Sequence, residues 1–174
     1  MASFKALGDG EVELWVTNDT LVQVNATARI ELVTLAGETL SMTELQVSVA
    51  ATASVTIWQG HPEAAADRVL LVRSPQFDGN RHFFAALKNV PFSPGAPAMD
   101  IERIDAHTLR VTLTATNYVY GACLLTSHAA TRFSDNFFDL FTGESRSISV
   151  SHQVLALVPG DVTLRYGISE GRDR

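Results

Sequence analysis

The chain has 174 residues, 46% of them hydrophobic and 18% charged, with a formal net charge of −6. That balance supports a packed core and excludes a disordered chain. The acidic charge excludes the basic footprint of a nucleic-acid or anionic-membrane binder.

The first ten residues lack the basic-then-apolar layout of a secretory leader, which points to a cytoplasmic rather than a secreted location. Strand patterning then begins. Over residues 11–17, Val12, Leu14 and Val16 share one face, while Glu13, Trp15 and Thr17 share the other. Asn18-Asp19 is a turn signal. Residues 22–34 predict a long strand with Val22, Val24, Ala26, Ala28, Ile30 and Leu32 facing a core, and Arg29 and Glu31 facing water. Ala36-Gly37 turns the chain. Residues 39–42, 45–49 and 55–57 resume the alternation. Pro62 predicts one helical turn over 62–66. Residues 69–72 form a further strand, Phe77-Asp78-Gly79-Asn80 a turn, and 82–88 the return. About seven strands with closely spaced turns match an immunoglobulin-like sandwich.

Three of the six prolines, Pro91, Pro94 and Pro97, then interrupt the chain. They predict a linker between one domain over 1–92 and another over 93–174. In the second half Leu109, Val111, Leu113 and Ala115 alternate with polar neighbours. Residues 118–125 are apolar on both faces, as in a central strand. Residues 133–144 are rich in turns, and 148–150 and 162–166 alternate again. The fold class expected is all-β, with two tandem immunoglobulin-like β-sandwiches.

No arrangement of residues demands chemistry. No apolar run reaches the roughly 18 residues of a membrane span, and the lone Cys123 excludes an internal disulfide and a multi-cysteine metal site. Cys123 falls in the most apolar strand and reads as a buried structural thiol. His61, His82, His107, His128 and His152 form no paired motif and no nucleophile elbow. Asp135, Asp139 and Glu144 cluster in a manner that glycoside hydrolysis or calcium uses, but the alternating calcium-loop pattern is missing. The simpler reading has Asp135 and Asn136 holding a turn while Phe137, Phe138 and Leu140 fill the core. No catalytic, cofactor-binding or metal residue is expected. Trp15 and Trp58 each fall on a polar strand face, where an indole stacks on a sugar or docks against another domain. Two matches to the glycosylation acceptor pattern, at Asn18 and Asn25, read as chance.

Two stretches carry a resemblance. Leu14-Trp15-Val16-Thr17-Asn18-Asp19-Thr20, with the long strand and Leu35-Ala36-Gly37-Glu38 after it, resembles the start of the Ig-like domain that follows the barrel in β-mannosidases of glycoside hydrolase family 2. Phe133-Ser134-Asp135-Asn136-Phe137-Phe138-Asp139-Leu140-Phe141-Thr142-Gly143-Glu144 resembles the signature of the last domain in those enzymes. Thr142 stands where proline is usual, and Phe137 where tyrosine is common. Related exo-glucosaminidases share the first stretch. The resemblance implies a non-catalytic tail that supports the catalytic barrel of a longer chain and helps to shape its substrate cleft. The family's acid/base glutamate follows an asparagine; this chain has no Asn-Glu pair, so no catalytic residue carries over. Two other readings stand beside it. One is a carbohydrate-binding module for manno-oligosaccharides, using coplanar aromatics such as Trp58, Tyr118 and Tyr120 or a groove with an aromatic floor and polar walls. The other is an adhesion or scaffolding pair.

Overall fold

The computed structural model describes residues 1–93 and 95–167. Pro94, in the middle of the predicted linker, lies outside the described residues. The chain is almost wholly β, and it divides into two compact units. The first comprises Met1–Thr34 and Glu38–Pro91; the second comprises Leu35–Gly37 and Phe92–Arg174.

The first unit carries β1 (Ala2–Ala6), β2 (Val12–Asn18), β3 (Val24–Thr34), β4 (Thr39–Val49), β5 (Ala53–Gly60), β6 (Arg68–Arg73) and β7 (Asn80–Phe83). One sheet runs β1-β2-β5 and the other β4-β3-β6-β7, with every neighbour antiparallel. Period-two alternation delivers Val12, Leu14 and Val16 from one sheet, and Ala28, Ile30, Leu32, Leu70 and Val72 from the other, into one buried cluster.

The second unit carries β8 (Ala98–Arg103), β9 (Thr108–Thr114), β10 (Val119–Thr126), β11 (Arg132–Phe133), β12 (Phe138–Leu140), β13 (Ser145–Ser151) and β14 (Val162–Arg165). Its sheets run β11-β13-β9-β8 and β12-β10-β14. The core lies between them and includes Leu109, Val111, Leu113, Leu124, Leu140 and Ile148. As expected for a run apolar on both faces, β10 is the central strand of its sheet. Each unit is thus a two-sheet, seven-stranded immunoglobulin-like sandwich. Helical structure among the described residues is limited to short 3₁₀ turns, none long or apolar enough to cross a membrane.

Four local expectations are revised. Residues 62–66 form no helical turn. Arg68 instead grips Glu63 through both its backbone carbonyl (3.0 Å) and its carboxylate (2.9 Å), which holds the segment open. Val22 is exposed rather than buried, because the Asn18 side chain captures its carbonyl at 2.8 Å and keeps the turn out of the ladder. Glu31 is only 5% exposed, between Arg29 (2.7 Å) and Arg73 (3.2 Å), rather than facing water. Phe137 does not fill the core. Its backbone is left-handed (φ 61°) and its side chain is 77% exposed, while Phe138 and Leu140 are buried as expected.

Candidate functional site

The sequence singled out two indoles, and the structure separates them. Trp15 sits in the middle strand of the β1-β2-β5 sheet, opposite Ser3 of β1 and Thr56 of β5. Its neighbours on β2 alternate to the core, so the indole lies on the outer face, half-buried, with Nε1 donating to Glu13 Oε2 at 3.0 Å. Trp58 does not share that face. Pairing slips between Leu14 and Trp15: Leu14 faces Trp58, whereas Trp15 faces Thr56. Ile57 is therefore the extra residue of a β-bulge, and strand parity reverses across it. The bulge turns Trp58 toward the buried cluster, where its ring packs over the backbone of Gly60. A methyl on Gly60 would stand 2.6 Å from the indole, so only glycine admits this packing. Tyr118 and Tyr120 also form no open platform. Phe92 stacks against both, at centroid distances of 6.0 and 5.2 Å, and Tyr118 is buried.

The three clustered carboxylates serve the backbone. Asp135 Oδ1 accepts the Asn136 N–H at 2.8 Å, and its Oδ2 pairs with Arg146 at 2.8 Å. Asp139 accepts the Tyr118 hydroxyl and the Gly121 N–H, the latter at 2.8 Å. Gly121 has φ +59° at a break in the β10–β12 register, so Asp139 clamps a glycine bulge. Glu144 Oε2 accepts the Phe141 N–H at 3.0 Å. Among the described residues no three potential metal ligands come together. The loop histidines act as ties: His107 Nδ1 meets Leu155 O at 2.8 Å, and His152 Nδ1 accepts two backbone N–H groups.

A cleft of about 310 Å³ opens at one end of the first unit. Five separate segments build it: Met1, the end of β2, the start of β3, Val49 at the end of β4, and the loop 76–78 after β6. Val16, Val24, Ala26, Val49 and Phe77 give it an apolar lining, and Thr17, Asp19, Thr20, Gln76 and Asp78 give it polar walls. Asn18 is the strut. It is 5% exposed, its Nδ2 lies within 3.2 Å of the carbonyls of Val22, Val49 and Ala50, and its Oδ1 accepts from Thr20 N and Oγ1. With its amide so committed, Asn18 is not available as a glycan acceptor. Gln76 Oε1 takes the N–H of Thr27 at 3.1 Å, on the stretch of β3 that β6 does not reach. Gly79 lets the loop close: a methyl there would lie 2.7 Å from the Val72 carbonyl oxygen. No sequence pattern announced this cleft. Its only local trace is the Asn18-Asp19-Thr20 turn.

Geometry of this kind defines a class: a protein of two immunoglobulin-like β-sandwich domains. The family follows from direct comparison. Residues 10–89 match the family model described as the Mannosidase Ig/CBM-like domain, and residues 96–166 match the mannosidase model described as an Ig-fold domain. The chain belongs to the Ig-like domains of the glycoside hydrolase family 2 mannosidase type. Solved structures agree on the fold. The β-D-mannosidase of Dictyoglomus thermophilum superposes with a TM-score of 0.78 at 16% identity, over 95% of this chain and 21% of that one. The exo-chitosanase CsxA of Amycolatopsis orientalis superposes with a TM-score of 0.61 at 15% identity, over 95% of this chain and 25% of that one. This chain therefore spans about a quarter or less of the length of each. No curated protein sequence matches it.

Proposed function

We propose that this chain is the non-catalytic C-terminal part of a larger glycoside hydrolase of the β-mannosidase kind. In this reading it consists of two consecutive domains, 1–92 and 93–174, that brace a catalytic barrel. The observation that carries it is the ordered pair of mannosidase-type domains, over 10–89 and 96–166. The short share of each relative's chain that it spans supports the same reading. Hydrolysis of a terminal β-mannoside would belong to the barrel, and the clustered carboxylates Asp135, Asp139 and Glu144 are engaged by Arg146 and by nearby backbone and hydroxyl donors. Trp15 is the indole suited to an outside contact, with the barrel or with a bound sugar, because its face of the sheet is the outer one. Trp58 contributes less, since its ring is largely taken up by its own core.

An immunoblot of the source cells, combined with mass spectrometry of the captured product, tests the proposal. A polypeptide several times heavier than 18.9 kDa that hydrolyses a nitrophenyl β-mannoside is the expected result. A native product near 18.9 kDa would overturn it.

A further inference from the structure

We infer that the cleft at the end of the first unit is a binding site for a single pyranose ring, neutral or amine-bearing. This deepens the glycoside-hydrolase reading and rests on it for the choice of ligand class. At about 310 Å³ the cleft lies within the range of about 300–1,000 Å³ typical of small-ligand pockets. A sugar ring has an apolar C–H face and a rim of hydroxyls, and the cleft offers a counterpart to each. Phe77, with Val24, supplies an apolar surface for the ring face.

The hydroxyls meet acceptors and a donor. Asp19 and Asp78 are exposed at the wall, and among the described residues neither carboxylate has an ion-pair partner. Gln76 is pinned through Oε1 by Thr27 N and Ser74 Oγ, which leaves its Nε2 group as a donor. Two carboxylates outweigh the one positive group in the lining, the Met1 ammonium that donates to the Thr17 carbonyl at 2.9 Å, so the cleft selects against anions and favours an amine over a carboxylate on the ligand. The site is also held in shape before any ligand arrives. Asn18 ties three strand ends together, and Gly79 seats the 76–78 loop against Val72. Preorganisation of this sort lowers the ordering cost of binding.

The test is a titration of the isotopically labelled 174-residue chain, followed by amide resonances, with methyl β-mannoside, methyl β-glucosaminide, glucuronate and glycerol in separate arms. The inference expects saturable shifts confined to residues 16–20 and 76–78 at millimolar sugar. They should be stronger with the amino sugar and absent with glucuronate and glycerol. Asp78→Lys, on an exposed loop, should weaken saturation at least about tenfold, since it replaces an acceptor with a like charge for the amine. Gln76→Ala serves as a second variant should the first disturb the loop. No shifts at saturating sugar, shifts confined to the Trp15 face, or equal shifts from glycerol would each overturn the site. The outcome is separable from that for the parent enzyme. A heavy native product with a silent cleft removes only this inference. A native product near 18.9 kDa with a responsive cleft removes only the parent.

Discussion

Asn136 pairs with Leu124 as a strand would. Its Oδ1 accepts the Leu124 N–H at 2.8 Å, and its Nδ2 donates to the Leu124 carbonyl at 2.9 Å. The left-handed turn at Phe137 takes the main chain away from β10, and the side-chain amide completes the ladder that β12 leaves short. Asn136→Ala removes both bonds and strands two backbone groups beside a core strand. Chemical denaturation should show a loss of about 2–3 kcal/mol. Asn136→Asp should lose nearly as much, because a carboxylate cannot donate to the carbonyl.

The two tryptophans should behave differently. Trp58→Ala empties space beside the buried cluster and should cost about 3 kcal/mol. Trp15→Ala removes an outer-face ring and its bond to Glu13, and should cost about 1 kcal/mol. Urea midpoints for both variants, compared at matched slopes, check the order. Equal losses would contradict the bulge at Ile57.

Glu31 is buried and faces the guanidinium groups of Arg29 and Arg73, both partly exposed. Glu31→Gln keeps the shape and removes the charge. It should destabilise the first unit by about 1–3 kcal/mol, below the full cost of a broken buried pair because water screens the arginines. Thermal unfolding should show a smaller deficit at high salt than at low salt, because ions screen the half-exposed arginines.

Acid should weaken the fold in two stages. Burial between Phe4 and Phe84 pushes His82 below its ordinary value of 6.5. The unfolded chain then binds a proton more readily than the folded one. The stability His82 allows is complete above pH 6.5 and declines as pH falls through the lower folded value. Asp161 is held below its ordinary 3.8, first by the Val158 N–H and then by His128, so its contribution is lost at still lower pH. His82→Phe should flatten the first stage and leave the second. An unchanged pH profile in that variant would rule out His82 as its origin.

Cys123 is buried, and burial pushes its thiol above the ordinary 9.0. A thiolate-specific reagent should label the native chain slowly and the denatured chain fast. Fast native labelling would mean that β10 opens readily.

Much of the fold is legible in one dimension. The alternation at residues 11–17 places Leu14 in a core because a strand turns every second side chain the same way. The same rule sets Ile30, Leu113 and Ile148, and within 133–144 Asp135 and Glu144 hold backbone N–H groups near to them in sequence, whereas Asn136 and Asp139 reach back to Leu124 and Gly121 of β10. Periodicity is a local property, so residues alone decided the all-β class and the outer face of Trp15, but not the strand β1 at residues 2–6 or the continuity of β4 through 39–49. Pairing between distant strands decided the rest. Trp58 faces inward only because β5 spends one more residue than β2 beside Leu14. Glu31 is buried only because Arg73, from the paired strand β6, closes over it beside Arg29 of its own strand. The cleft exists only where the end of β2, the start of β3, Val49 and Phe77 meet. Register and closure depend on which segments find each other in space, and no local repeat in a sequence records that.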